Sequence, residues 1–351
     1  MVVKIYKTIF NNIISLENLF SAWDKFKNDK KNKRDVMRFE WKLEENIFQL
    51  HRDLKSKKYR HGSYGAFYIH DPKQRHIHKA TVGDRILHHA IFFVVNPVFE
   101  PTFIAHSFSC RIGKGTHKGV DSFASMLSSG SRNNSRNCFV LKCDIKKFFD
   151  AIDHNILLGI IQKRIKDKDT LWLLEEVVES FGSSQSNIFQ RKGVPIGNLT
   201  SQLFANIYLN EFDQFIKHDL KIKHYCRYTD DFVIIFDNQS YLAELIPKIK
   251  SFLTMDLQLE LHPKKVSIRK FRQGIDFLGY VTLPHHRALR SKTKHRIFKK
   301  LEVRIREYHS GVISRQTLEQ SLQSYLGVLI HADTHQLTQQ LKNQFWFWLN
   351  E

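Results

Sequence analysis

Cysteine is scarce in this chain. Cys110, Cys138, Cys143 and Cys226 are the only four in 351 residues, and no two of them form a CxxC pair. That spacing excludes a zinc ribbon and a disulfide framework, and the expected setting is a reducing cytoplasm. Long hydrophobic runs are also missing. No stretch reaches the roughly 18 apolar residues of a membrane span, and Met1-Val2-Val3-Lys4-Ile5 is too short for a secretory signal. No membrane partner is expected. Histidine is plentiful, at 19 copies, yet neither His76-x-His78 nor His88-His89 belongs to an HExxH signature. A zinc site needs four well-spaced ligands, so none is expected. The glycine-rich loop Gly113–Gly119 fits neither a Walker loop nor a dinucleotide fingerprint. No period of 20–50 residues repeats, which excludes a solenoid.

Acid is in short supply as well. Asp and Glu total 35 against 55 Lys and Arg, a formal charge of +20. A chain this basic points to a polyanionic partner, with nucleic acid the leading one. Hydrophobic residues make up 42%, which suffices for a folded core, and 28 phenylalanines make that core aromatic-rich. The length allows two or three substructures.

Residues 1–60 read as two helices joined by the charge-dense stretch 25–34. An alternating strand follows over 61–72, then a helix from Thr81 to Phe93 and a loop over 128–137. The centre carries the chemistry. The apolar run Cys138–Cys143 stops at Asp144. A helix starts near Asp153, and a longer one runs from Asn198 to about Leu220. Strands 224–228 and 232–236 flank Thr229-Asp230-Asp231. A helix over 241–254 and a hairpin around 277–283 complete this region, and the chain is helical from about Ser291.

Two strand ends therefore carry carboxylates. If the strands are neighbours in one sheet, Asp144, Asp230 and Asp231 converge, and oxygen ligands of this kind suit Mg²⁺. Two such ions can activate a hydroxyl and stabilise a pyrophosphate leaving group. The competing reading is an ordinary acidic turn, since Asp favours turns. Tyr228-Thr229-Asp230-Asp231 alone does not separate the two.

The wording around these residues resembles the reverse transcriptases. Val140–Asp150 resembles their first aspartate motif, and Tyr228–Asp231 the second, with Thr229 where Ala or Met is commoner. Leu259–Lys265 resembles the next palm motif, with Lys265 as its basic residue, and Phe277-Leu278-Gly279 resembles the primer grip. Asp71–Ile77 resembles their finger segment. Lys73 and Arg75, two apart on a strand, share one face and could grip a triphosphate, Arg by a bidentate fork. The resemblance covers about residues 60–285.

It implies an α+β right-hand polymerase with a ferredoxin-like palm sheet, fingers and a helical thumb. The implied activity is RNA-directed DNA synthesis from dNTPs, with template RNA and cDNA as partners. The implied cofactor is two Mg²⁺ ions, with Mn²⁺ as an alternative, held by Asp144, Ile145, Asp230 and Asp231. Phe149 takes the place of the bulky aromatic below the incoming sugar that rejects a 2′-hydroxyl. The expected organisation is a helical extension over 1–60, fingers and palm over 61–285, and a thumb over 286–351.

Ile196-Gly197-Asn198-Leu199-Thr200-Ser201-Gln202 resembles the IGxxxSQ pattern of diversity-generating retroelement reverse transcriptases, where most of the family has QGxxxSP. Ala332–His335 also looks like their thumb. The resemblance places Ile196, Gly197 and Gln202 at the nucleotide and implies errors at template adenines and a small basic accessory protein. An apolar Ile196 cannot hydrogen-bond around the nascent pair, though packing alone also explains it. A defence-associated enzyme copying a dedicated noncoding RNA has much the same core, and a catalytically inactive RNA-binding scaffold is a further alternative. A group II intron protein is less expected, because the sequence ends soon after the thumb. Within that thumb Ile297, Leu301 and Ile305 form a core stripe. Lys292, Lys294, Arg296, Lys299 and Lys300 crowd the remaining faces, where they can track a nucleic-acid backbone or simply be solvated. Phe345–Trp348 reads as core or a docking surface.

Overall fold

In the computed structural model, which describes residues 4–70, 74–181 and 191–350, the N-terminal region folds as four helices where two were expected. They are α1 (Phe10–Ile14), α2 (Leu16–Lys27), α3 (Arg34–Glu40) and α4 (Leu43–Lys55). The first break is a cap: the Ser15 hydroxyl accepts from the Asn18 amide at 3.2 Å and starts α2. The second falls at Trp41-Lys42, inside one apolar periodicity that no Gly or Pro interrupts. Both halves of that stripe bury, with Val36, Ile47 and Leu54 fully inaccessible.

An exposed hairpin, β1 (Gly65–Ile69) and β2 (Arg75–Lys79), leads into α5 (Val82–Phe99). Thr81 caps α5 by accepting from the Asp84 amide, and the four N-terminal helices pack against it. The segment read as a flexible glycine loop ends at Gly115, where α6 (Thr116–Gly130) begins. That helix also takes the first residues of the expected 128–137 loop.

Next comes β3 (Phe139–Asp144), followed by α7 (Phe148–Ala151), α8 (His154–Gln162), α9 (Lys168–Glu179) and α10 (Leu199–Gln214). The hairpin of β4 (Tyr225–Tyr228) and β5 (Asp231–Phe236), α11 (Gln239–Leu257) and β6 (Ser267–Lys270) complete the sheet. Its order is β4-β5-β3-β6, with every pair antiparallel. A β-α-β-β-α-β chain path with this order is the ferredoxin-like arrangement, and it forms the palm of an α+β right-hand polymerase fold.

Alternation gives the palm sheet two different faces. Leu141, Cys143, Tyr225, Phe232 and Ile234 face the large core shared with α10, α11 and the N-terminal helices. Val140, Cys226, Val233 and Ile235 face a second core with Phe123, Phe271 and Phe277. Burial on both sides explains why the strands read as continuous apolar runs.

A three-stranded sheet follows, of β7 (Ile275–Phe277), β8 (Tyr280–Thr282) and β9 (Arg287–Leu289). Leu278 and Gly279 form its first turn at φ 53° and 93°, the left-handed geometry of a two-residue hairpin. Then α12 (Ser291–His309), α13 (Arg315–Leu329) and α14 (His335–Asn350) pack around Ile297, Leu301, Ile305, Leu318, Leu341 and Phe345. Phe345 belongs to that core, whereas Trp346 and Phe347 are 50% and 60% exposed. No helix among the described residues is long and apolar enough to cross a membrane.

Candidate active site

The register of the palm sheet sets the site. Asp144 ends β3 directly across from Asp231 at the start of β5, and Tyr228 faces Asp231 from β4. Asp230 occupies the two-residue turn between these strands with Thr229, and its carbonyl accepts from the Ile145 amide at 3.2 Å. The segment 259–265 runs alongside. The His262 amide donates to the Asp144 carbonyl at 2.7 Å, and Ile145 bridges to Leu261. The motifs read separately in the sequence thus meet at one end of one sheet.

Electrostatics concentrate there. Burial, and next the Asp144 charge, push the Asp230 carboxyl up to about 6. The Lys265 ammonium holds Asp144 Oδ2 at 2.7 Å. A cleft of about 320 Å³ adjoins the pair, lined among others by Lys142, Asp144, Asp231, Lys265, Arg269 and Arg290.

A hard divalent cation suits this donor set, because all three acids offer only oxygen. Among the described residues, however, no three His, Cys, Asp or Glu side chains form a group that could hold a metal ion. Asp144 and Asp231 are paired in main-chain register, and the Asp230 carboxyl lies near enough to feel the charge of both.

Several nucleotide-binding candidates are linked through the segment that leads into α10. Phe149 is half-buried, and its carbonyl accepts from the Val194 amide at 2.8 Å, so it adjoins the segment leading to Ile196. Ile196 is half-buried, with its carbonyl accepting from His78 of β2 at 3.3 Å. Gly197 has φ 114°, and a Cβ there would meet Ile77 at 3.1 Å, so backbone conformation and close approach both favour glycine. Gln202 lies half-buried in the first turns of α10. Arg75 is exposed at the start of β2, across from Ile69. Lys73 lies outside the described residues.

The primer-grip candidates are split by environment. Phe277 is buried in the second core, while Leu278 and Gly279 form the turn. The Gly279 carbonyl accepts from the Arg290 amide at 3.1 Å, and Arg290 also pairs with Asp276, which ties the turn to α12. On α12, Lys292, Lys294 and Lys299 are exposed, and Arg296 and Lys300 half-exposed. A groove of about 400 Å³ against Tyr325 of α13 takes in Arg296, Lys299 and Lys300.

Sequence reading missed one feature. Arg227 and Asp213 are fully buried and form a bidentate ion pair, Nε to Oδ1 at 2.7 Å and Nη2 to Oδ2 at 2.6 Å. The signal was available: an arginine inside an otherwise apolar strand must find a partner. Which acid would answer it was not visible in one dimension.

Residues 69–282, more than half of the chain, match the family model described as reverse transcriptase (RNA-dependent DNA polymerase). Protein YkfC of Escherichia coli is 26% identical over 60% of this chain and 62% of its own length. The group II intron-encoded protein LtrA of Lactococcus lactis is 24% identical over 68% of this chain and 49% of its own. The chain thus spans between half and two thirds of these relatives. Apo telomerase from Candida tropicalis, truncated from its C-terminal domain, superposes at TM-score 0.48 with 15% identity, over 70% of this chain and 60% of that one. On the family match, this chain belongs to the reverse transcriptases.

Proposed function

We propose that the protein is an RNA-directed DNA polymerase whose reaction is metal-dependent nucleotidyl transfer at the β3–β5 end of the palm. The observation that carries this reading is the Asp144–Asp231 register, with Asp230 on the adjoining turn. Asp144, Asp230, Asp231 and the main chain of Ile145 are the groups that would hold divalent cations. Such ions supply Lewis-acid activation of the primer hydroxyl and charge neutralisation at the leaving pyrophosphate. The Lys265 ammonium, which here pairs with Asp144, would be available to the triphosphate if cations held that carboxylate. Arg75 reaches that triphosphate from the fingers, together with Lys73. Phe149 stands below the sugar and excludes a 2′-hydroxyl. The turn at Leu278-Gly279 supports the primer, and the basic face of α12 follows the duplex.

Within this activity we assign the chain to the diversity-generating type. Ile196 presents no hydrogen-bonding side chain beside the nascent pair, and Gly197, Ser201 and Gln202 complete the motif. Errors then concentrate at template adenines, and a small basic accessory protein is the expected partner. The test is cDNA sequencing from a mixed RNA template with primer, dNTPs and Mg²⁺, with Asp230→Ala/Asp231→Ala as control. Errors concentrated at adenine, reduced in Ile196→Gln, support the assignment. Accurate product from the wild type removes it and favours the defence-associated reading. An Asp230→Ala/Asp231→Ala protein as active as the wild type overturns the polymerase site itself.

A further inference from the structure

The turn that carries Asp230 is a strained piece of backbone. Thr229 sits at φ 53°, a left-handed conformation that costs a β-branched residue more than most. Such an outlier persists only where its surroundings over-determine it, and here three contacts do so. The Thr229 hydroxyl meets the Ser109 hydroxyl at 2.6 Å. The Thr229 carbonyl accepts from Arg227 Nη1 at 3.1 Å. One residue earlier, the Tyr228 hydroxyl accepts from Thr116 at 3.2 Å.

The Arg227 contact is the informative one, because the guanidinium cannot shift. Its Nε and Nη2 are fixed on Asp213, whose Oδ1 also accepts from the Tyr225 hydroxyl at 2.7 Å. Asp213 lies on α10, the helix whose first turn carries Ser201 and Gln202. The Arg227 main chain is fixed as well, its amide donating to His106 and its carbonyl accepting from Phe108. A buried ion pair is poor evidence of stability, since desolvation offsets most of the attraction. A strand needing only core would carry an apolar residue here. What an arginine adds is a third donor, aimed at the turn.

We propose that Arg227, held by Asp213, and Ser109 are positioning residues: they clamp Thr229 in its left-handed conformation and so fix where Asp230 and Asp231 point. The strut couples the acids to α10, so the helix bearing Gln202 and the turn bearing the acids move as one body. The kinetic arm of the test rests on the polymerase reading. The exchange arm does not.

The decisive protein is the Asp213→Leu/Arg227→Met double variant, which removes both charges and refills the space but leaves the Tyr225 hydroxyl without its acceptor, so that it melts within about 10 °C of the wild type. If the pair is a positioning strut, the Ile145 amide, bonded to the Asp230 carbonyl, exchanges its hydrogen at least about 10-fold faster than in the wild type, while the Leu141 amide is unchanged. The kcat for primer extension falls at least about 30-fold, with the KM for dNTP held within about threefold. Thr229→Val and Ser109→Ala show the same pattern more weakly, and Thr229→Ser, which keeps the hydroxyl, restores kcat. A double variant with wild-type exchange at Ile145 and wild-type kcat overturns the proposal and leaves the pair as core architecture. Should the double variant fail to fold, Thr229→Val against Thr229→Ser decides: equal exchange and equal kcat in the two overturns it. A wild type that extends no primer defeats the polymerase reading, and the exchange comparison still decides the positioning claim.

Discussion

Two antiparallel hairpins carry two of the proposed catalytic acids and the proposed triphosphate cations, and they are built in opposite ways. In the β4–β5 hairpin seven of the ten strand residues are buried and Phe236 alone is exposed, and its turn is clamped by Arg227, Ser109 and Thr116. In the β1–β2 hairpin the first strand is exposed at every position and the second is exposed or half-exposed throughout. The β2 strand is anchored to the palm at His78, which meets Ile196 and Asn198. Carboxylates that must share a cation need fixed geometry and a site of low polarity, where charge interactions are strong. Arms that grip a triphosphate need reach, and a hairpin with few buried contacts opens at little cost. Stability is thus spent on the acids and withheld from the cations.

The sharpest break in that comparison is at Asp230. Asp230→Ala/Asp231→Ala should lower primer extension by more than about 1,000-fold, as loss of metal-held electrostatic stabilisation does. The same site should show that function costs stability. The Asp230 carboxyl lies above its ordinary value of 3.8, at about 6, so the native state holds a proton that the unfolded chain has released. Stability therefore falls as pH rises through that window, and the cost is complete above it. Asp230→Asn removes the cost. In metal-free buffer it should be more stable than wild type by about 2 kcal/mol at pH near 8 and indistinguishable near 3, allowing for partial exposure of the group. Melting curves at the two pH values check this, and an Asp230→Asn protein less stable at the higher pH contradicts it.

Phe149 tests the region between the hairpins. Phe149→Val should admit ribonucleotides, lowering discrimination by roughly 100-fold, the scale of a pocket that loses a steric wall. Incorporation of rNTP against dNTP on one template measures it, and unchanged discrimination removes Phe149 from the sugar site. Arg75 then tests the exposed hairpin. Arg75→Ala should raise the KM for dNTP about 10-fold, the worth of one charge-assisted contact. Because Arg75 buries nothing, the melting temperature should not move, in contrast to changes in the β4–β5 hairpin.

The sequence made the palm legible because its strands are apolar on both faces and its acids fall at strand ends. Asp144, Asp230 and Asp231 could be expected at one end of a sheet before any coordinates, provided that their strands were neighbours. Periodicity also identified the faces of α3 and α4, but not the break between them, because Trp41-Lys42 carries no capping or breaking residue. The Arg227–Asp213 pair was illegible for a different reason. Its members lie 14 residues apart in the chain, on a strand and a helix, and only the tertiary fold selects Asp213 from the neighbouring acids. The Lys265–Asp144 ion pair was hidden likewise.

The smallest effect expected concerns α12, which follows the logic of the exposed hairpin. Its apolar stripe of Ile297, Leu301 and Ile305 is buried, while Lys292 and Lys299 lie in solvent. An exposed lysine contributes little to folding but releases a counterion when it meets a phosphate. Each of Lys292→Ala and Lys299→Ala should therefore leave the melting temperature unchanged, weaken binding alike for every template sequence, and lower the slope of log affinity against log salt by about one. Titrations of a labelled primer–template at several salt concentrations measure this slope. A slope equal to wild type for both variants would mean that these lysines are only solvated, leaving the half-exposed Arg296 and Lys300 of the α12–α13 groove to carry the duplex.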